Sequence, residues 1–268
     1  MPTPGARSRG GRPRWATRAV ALCLLLSPAA CGGTRFVHPE GPEVVRDTPA
    51  LNLRLADDAL SAGAAETALH VLDGLLQRDP SNVPALLRQG RALTVLKRPA
   101  DAARSFARAA ALQPGSLEAL TGLARARTAN GDNAESAWRR ALAQAPGSVP
   151  LQTGLAISLD LQERHAEAQV LYRVVLARTP DDPAVRSDLG LSLAMSGHAA
   201  EGVALLRQAV VGGFGNNSAE AARARNNLAA GLVMAGDDAA ARNILSQNLP
   251  PADVKAALAG LRQFTSAR

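Results

Sequence analysis

A phrase that recurs at nearly regular intervals constrains the fold of this chain more than any other feature. It consists of an alanine, a large apolar residue four positions later, a small or apolar residue three positions further on, and a proline five positions after that. The four clearest copies end at Pro80, Pro114, Pro146 and Pro180. Periods of about 20–50 residues are typical of solenoids, in which each repeat is one supersecondary unit that packs against its neighbours.

The residues around the phrase predict pairs of helices. The chain is rich in alanine and leucine and only 3% aromatic, which favours helix over sheet. A second amphipathic stretch precedes each phrase, and the proline cannot continue a helix, so it ends the second one. Between the two stretches lie Gly63, Gly131, Gly197 and Gly236, where a tight turn needs a positive φ. We therefore expect an all-α fold.

The phrase also predicts how the helices pack. Three of the seven aromatic residues, Phe106, Trp138 and Tyr172, stand at the large apolar position. We expect them to fill the space between consecutive hairpins, where burial of each contributes roughly 1.5–3 kcal/mol. Within a hairpin, small residues such as Gly90 and Ala102 are expected to face each other, because a larger side chain would overpack.

This pattern resembles the tetratricopeptide repeat (TPR). The resemblance implies a right-handed α-solenoid of about six TPR hairpins with a C-terminal capping helix. We assign the hairpins to residues 49–82, 83–116, 117–148, 149–182, 183–214 and 222–249. The third hairpin lacks two residues at its turn, and residues 212–218 form a loop insertion. Residues 250–268 are expected to supply the capping helix, from Ala252 to Phe264, and a tail.

The N-terminus predicts export. Residues 1–30 hold five arginines, an apolar run and small residues before Cys31, as a secretory signal peptide does. The sequence Ala29-Ala30-Cys31 resembles the lipobox of bacterial lipoproteins, which implies lipidation of Cys31, although Pro28 departs from that pattern. The alternative is cleavage beside an unmodified cysteine. Residues 31–48 are predicted to be a flexible tether, and the expected location is the periplasmic side of the envelope, with an outer-membrane lipoprotein favoured and the inner membrane left open.

Charge and motifs exclude several function classes. The formal charge of +7 falls to +2 beyond residue 30, because 25 basic and 23 acidic residues remain, and that balance does not suit binding to a nucleic acid. No nucleotide loop, zinc spacing or nucleophile elbow occurs, so no catalytic residue, cofactor or metal site is predicted. Four scattered histidines, His38, His70, His165 and His198, are expected to be exposed.

The remaining route to function is a binding surface for protein partners. The repeat register predicts that the first helix of each hairpin lines a groove for an extended or helical peptide. The residues predicted to line that partner-binding groove are Leu87, Arg91, Thr121, Arg125, Ile157, Leu191, Met195 and Asn226. Arg91 and Arg125 lie one repeat apart, which indicates a partner segment that is apolar and carries an acidic group.

The C-terminal passage resembles a more specific family. The stretches Asn226-Asn227-Leu228-Ala229, Met234-Ala235-Gly236-Asp237 and Asn248-Leu249-Pro250-Pro251 are similar to the end of TadD, the repeat lipoprotein of tight-adherence (Flp) pilus assembly. That resemblance implies a scaffold that helps an outer-membrane secretin or other pilus components assemble. A pilotin-like or envelope-maintenance lipoprotein of another system, and a regulatory subunit of an envelope enzyme, remain open.

Overall fold

The computed structural model describes residues 48–211 and 218–266, and all statements about structure refer to these residues. The predicted signal peptide at 1–30, Cys31 and almost all of the predicted tether at 31–48 lie outside them, as do residues 212–217 of the predicted loop insertion. The structural unit that contains the repeats begins at Asp47.

The described residues form thirteen α-helices and no strand. The helices are α1 Pro49–Ser61, α2 Ala65–Arg78, α3 Val83–Val95, α4 Pro99–Leu112, α5 Leu117–Asn130, α6 Glu135–Gln144, α7 Val149–Asp160, α8 His165–Arg178, α9 Pro183–Met195, α10 Ala199–Val211, α11 Ala219–Met234, α12 Asp238–Leu245 and α13 Pro251–Ser266. The odd-numbered helices from α1 to α11 are the first helices of six hairpins, and the even-numbered ones are the second helices.

Local sequence determines where these helices begin and end. The first helix of a hairpin usually follows a residue whose side chain caps it, as Asn82 does by accepting a hydrogen bond from the amide of Ala85 at 3.0 Å. The second helices α2, α4, α6 and α8 each stop two residues before the proline of the repeated phrase. The predicted role of these prolines as helix terminators is confirmed.

The turn inside each hairpin has one residue with a positive φ. The four predicted glycines have φ between 75° and 90°, as expected. Lys97 and Glu163 occupy the equivalent position in the second and fourth hairpins with φ of 57° and 61°. The six hairpins therefore share one turn geometry, which two of them reach with a residue that has a Cβ atom.

The helices stack in sequence order. Each helix contacts the next, and each first helix also contacts the first helix of the following hairpin, whereas among the described residues the second helices do not contact one another. The first helices therefore form one continuous row, backed by the second helices. This serial packing of hairpins is a solenoid, which confirms the expected fold class.

The small residues and the aromatic rings meet in a way that differs from the simple prediction. A Cβ atom added to Gly90 would overlap the ring of Phe106, so the ring, and not Ala102 alone, uses the space that this glycine leaves. In the fifth hairpin the prediction holds, because a Cβ atom on Gly190 would lie 2.8 Å from the carbonyl oxygen of Gly202. There the backbones of α9 and α10 approach each other directly.

The C-terminal elements close the solenoid. Helix α11 begins at Ala219, three residues earlier than position 222, because the Ser218 hydroxyl accepts a hydrogen bond from the Ala221 amide at 3.0 Å and caps it. Helix α13 contacts α11 and α12 and buries Val254 and Leu258. It covers the last apolar edge, as a capping helix should.

Candidate peptide-binding groove

Two neighbouring hollows open along the row of first helices, and we call them together the groove. Hollow 1 lies between α3 and α5 and has a volume of about 740 Å³. Its walls carry the exposed apolar side chains Val95 and Leu117, which are 57% and 41% accessible. The ring of Phe106 lies at its base beside Gly122. Thr121, which the sequence predicted to face the groove, lines this hollow.

Hollow 2 repeats this arrangement one hairpin further on. It lies between α5 and α7, reaches the start of α9, and has a volume of about 460 Å³. Trp138 and Gly154 stand where Phe106 and Gly122 stand in hollow 1, and the predicted groove residue Ile157 lines the wall. The Trp138 indole donates a hydrogen bond to the Thr128 hydroxyl at 3.0 Å, which fixes the orientation of the ring.

A glycine at one repeat position explains why the hollows lie here. Gly122 and Gly154 precede the Leu-Ala pair of their first helices, and a Cβ atom at either position would overlap the aromatic ring of the preceding hairpin. The absence of a side chain lets that ring, which is almost completely buried, form the base of the hollow. The other four hairpins carry a longer side chain at this position; these residues are Arg54, Arg88, Asp188 and Asn227. Sequence reasoning placed the groove on the first helices but did not single out this position.

The charges in the groove are unevenly paired. The Arg91 Nε donates a hydrogen bond to Glu118 at 2.9 Å, and the two side chains also form an ion pair. The Asp182 carboxylate, at the far end of hollow 2, accepts the Val185 amide at 3.1 Å and so caps α9. Arg125 is exposed, lines both hollows, and has neither an ion pair nor a hydrogen bond to any described residue. It is therefore the uncompensated cation of the groove.

The remaining predicted groove residues lie away from the two hollows. Leu87 packs against the core beside the first helices. Leu191 and Met195 are half-buried on α9, and Asn226 is exposed on α11, but none of the three lines either hollow. The structure thus brings four of the eight predicted residues together, namely Arg91, Thr121, Arg125 and Ile157. The regular repeat spacing placed all eight residues on the row of first helices, but it could not show between which of these helices the hollows lie.

Glu118, Val95 and Leu117 are groove residues that the sequence analysis missed. Each lies on a first helix near an end, where α3 and α5 face each other. Glu118 follows the N-cap Ser116 in the first turn of α5, where an acidic residue also suits the helix dipole. The sequence signal for Glu118 was its separation of 27 residues from Arg91. Arg91 lies toward the end of the first helix α3, and Glu118 lies at the start of the next first helix, α5.

A buried polar cluster lies between the fourth and fifth hairpins. One carboxylate oxygen of Asp160 accepts a hydrogen bond from the Ser192 hydroxyl at 2.7 Å and lies 2.8 Å from Nδ1 of His165. Only 11% of the His165 side chain is accessible, so the expectation that this histidine is exposed was wrong. Ser192 itself is 1% accessible and bonds Asp160 rather than the imidazole, which does not give it the access or the base that a nucleophile requires.

The same cluster perturbs two titratable groups. Burial raises the pKa of Asp188 to about 6, and the nearby carboxylates of Asp160 and Asp182 act in the same direction, while Arg223 opposes them. The Arg223 Nη2 lies 3.4 Å from the Asp188 carboxylate. Burial also raises the pKa of the Tyr172 hydroxyl, which bonds Asp160. These groups join hairpins four to six by polar contacts.

Two other kinds of feature are absent from residues 48–211 and 218–266. No set of three or more His, Cys, Asp or Glu residues there is arranged to hold a metal ion. None of the helices in these ranges combines the length and the apolar character that crossing a membrane requires.

The family comparison matches the repeat that the geometry shows. The tetratricopeptide repeat family matches residues 53–116, 96–149 and 120–183. The match shows this repeat in the matched segments, which together span residues 53–183. The uncharacterized protein y4yS of Sinorhizobium fredii (strain NBRC 101917 / NGR234) is 31% identical over 139 residues, which are 52% of this chain and 57% of that relative. The chain therefore spans a little over half the length of this curated relative.

Several solved TPR structures share the fold. A tetratricopeptide repeat protein from Parabacteroides merdae ATCC 43184 superposes with a TM-score of 0.63 at 18% identity, covering 80% of this chain and 84% of that one. PilW, a widely conserved type IV pilus biogenesis factor, gives 0.57 at 19% identity over 74% of this chain and 90% of its own. MamA gives 0.55 at 23% identity over 60% and 90%. At these identities the likeness concerns the TPR fold alone.

Proposed function

We propose that this chain is a membrane-anchored TPR scaffold that binds a segment of a partner protein along the groove. The observation that carries the proposal is the pair of adjoining apolar hollows, with exposed Val95 and Leu117 on the walls and the unpaired Arg125 between them. Exposed apolar surface of this kind, bordered by polar groups, marks interaction sites. TPR proteins are generally scaffolds, and the proposal assigns this chain no catalytic step.

The groove favours binding of moderate affinity. Burial of one large apolar side chain in each hollow contributes roughly 1.5–3 kcal/mol per side chain. A carboxylate that pairs with Arg125 adds a charge-assisted hydrogen bond. Ordering of the bound segment opposes these gains, so we expect micromolar rather than nanomolar dissociation constants. Such affinities suit a scaffold whose partners are already held close to the same membrane.

The proposal includes a lipid anchor at Cys31. Its support is the lipobox-like Ala29-Ala30-Cys31 sequence and the apolar run before it. A flexible chain as long as the predicted tether, 31–48, has an end-to-end distance of roughly 25 Å. Cys31→Ser is expected to release the protein from membranes into the soluble fraction. Persistent membrane association of this variant would reject anchoring through Cys31.

We further propose a role in Flp/Tad pilus assembly, with an outer-membrane secretin or another pilus component as the partner. The C-terminal resemblance to TadD supports this role, and so does the shared fold with PilW, which is itself a pilus biogenesis factor. A pilotin-like or envelope-maintenance role in another system, or regulation of an envelope enzyme, would use the same groove. Cross-linking followed by identification of the captured protein separates these alternatives.

The test of the groove is charge reversal. Arg91→Glu combined with Arg125→Glu should abolish capture of the partner by cross-linking in cells, because both cations of the groove are then replaced by groups that repel an acidic segment. The matched control reverses Arg140 and Arg173, which are exposed on the second helices. Undiminished capture by the groove variant, or an equal loss in the control, would refute the groove as the binding surface.

A further inference from the structure

We infer that the groove recognises one motif: two large apolar side chains, one for each hollow, with a single carboxylate between them that pairs with Arg125. This inference rests on the proposed function and names the partner chemistry of the same site. It is carried by three features of the groove, namely the two glycine positions, the distribution of charge, and the spacing of the first helices.

The glycines define two apolar subsites. Because Gly122 and Gly154 have no Cβ atom, the Phe106 and Trp138 rings reach the base of hollow 1 and hollow 2, where 4% and 3% of these residues are accessible. In the next hairpin Asp188 stands at the same repeat position, so the row offers two such subsites and then a charged side chain. A segment that buries one apolar side chain against each ring gains most of its binding energy there.

The charges place the acidic group between the subsites. In hollow 1 the Glu118 carboxylate, near the start of α5, already pairs with Arg91, and in hollow 2 the Asp182 carboxylate lies at the start of α9. A ligand carboxylate beside Glu118 or Asp182 would meet a like charge. Arg125 borders both hollows and has no partner, so a carboxylate there is paired bidentately without displacing an existing ion pair. The motif is therefore apolar, acidic, apolar.

The spacing of the two apolar groups follows from the repeat. Packed helices lie roughly 8–10 Å apart, and the two hollows are separated by one step of the first-helix row. In an extended segment of polyproline II conformation, at about 3.1 Å per residue and three residues per turn, this distance matches side chains three positions apart on one face. In a helical segment, at about 1.5 Å per residue, it matches side chains seven positions apart. Both arrangements present the same three groups, and both can be tested.

The chain provides its own fluorescent reporter. Of its two tryptophans, Trp15 lies in residues 1–30, so the chain from residue 31 onward contains Trp138 alone. The protein for the test begins at residue 31, carries Cys31→Ser and keeps every described residue. Short peptides are titrated, with two leucines three or seven positions apart and one glutamate between them, and Trp138 emission is followed. We expect saturable binding, weakened roughly tenfold when glutamine replaces glutamate and similarly when alanine replaces either leucine.

A double-mutant cycle assigns the carboxylate to its partner. Arg125→Gln should bind the glutamate and glutamine peptides equally, whereas Arg91→Gln and the second-helix control Arg140→Gln should keep the wild-type preference. Circular dichroism melts verify that each variant is folded. A preference that survives Arg125→Gln, or no binding of any peptide, overturns the inference. A different result would refute the proposed function: capture of the partner in cells that is unchanged when Arg91 and Arg125 are both replaced by glutamate.

Discussion

The junctions that follow the three buried aromatic residues are of two kinds, which are distinguished by the residue that the next first helix presents. At the junctions that follow Phe106 and Trp138, the next first helix presents a glycine, the ring contacts backbone, and a hollow remains. At the junction that follows Tyr172, the next first helix presents Asp188, and a network of polar side chains fills the space. The same helical frame therefore yields a binding surface in one place and a polar joint in another.

In each of these hairpins, one position of the first helix carries a residue that suits the aromatic side chain of the second helix. Phe106 has no polar atom to satisfy, and the nearby Thr94 hydroxyl bonds the Gly90 carbonyl at 2.8 Å. The Trp138 indole finds Thr128 at the equivalent position, and the Tyr172 hydroxyl finds Asp160 there. Once a carboxylate is buried, it needs further donors, and Ser192 provides one.

The largest expected effect comes from filling a glycine position. Gly154→Ala should lower the free energy of unfolding by about 2–3 kcal/mol, because its methyl group would overlap the Trp138 ring. Gly74→Ala is the matched control, since a Cβ atom at this helical glycine would meet nothing within 4 Å. The control should instead gain roughly 0.5–1 kcal/mol. Urea melts measure both, and equal effects would show that the ring does not depend on the glycine.

The polar junction should respond to pH. Because the folded state raises the Asp188 pKa to about 6, above the unfolded value of 3.8, the native state holds the proton more tightly. This contribution therefore weakens as pH rises from about 4 to 6 and stays low above that. Asp188→Asn should remove that slope and stabilise the protein by about 1–2 kcal/mol at pH 7.5. Thermal melts across the window test this, and parallel curves for both proteins would contradict it.

The hairpin turns allow a smaller comparison. Glu163 has a positive φ where four other hairpins carry glycine, so Glu163→Gly should raise stability by up to about 1 kcal/mol through relief of backbone strain. Gly131→Ala should lower it by about 1 kcal/mol or more for the converse reason. Thermal denaturation at one pH gives both values. A stabilised Gly131→Ala variant would mean that the turn tolerates a Cβ atom without cost.

The smallest expected effect is at the groove itself. Arg125→Gln should change stability by less than about 0.5 kcal/mol, because this exposed side chain makes no ion pair in the described structure. Differential scanning calorimetry measures it. A large loss would assign Arg125 a structural role and remove it as a free anchor for a ligand.

Much of the fold could be predicted from the sequence because the same residue types recur at the same positions in successive hairpins. The prolines, the turn glycines and the buried aromatic residues all take the expected places. Less of the groove was predictable. The register identified the first helices, but Arg91 proved to be paired with Glu118, and Leu87 packs into the core. A pairing between residues of different hairpins depends on side-chain geometry that periodicity does not encode.

The polar joint was not predictable for a related reason. Asp160, His165 and Ser192 come from three helices, and each alone fits a solvated helix face in the sequence. Only the convergence of His165, Ser192 and Tyr172 on the Asp160 carboxylate makes them a buried cluster. The length of helix α6 was only partly predictable. The repeat spacing showed that the third hairpin lacks two residues, and the structure shows that its second helix, α6, starts later and is shorter than α2, α4 and α8.

The most direct test of the central claim is photo-cross-linking in living cells from two positions of matched exposure. Val95 lines hollow 1 and is 57% accessible, while Val170 lies on the second helix α8 and is 58% accessible. A photoreactive amino acid at position 95 should capture a specific protein partner, and the same group at position 170 should not. Capture from position 170 with none from position 95 would contradict the account, because binding would then occur on the opposite helices.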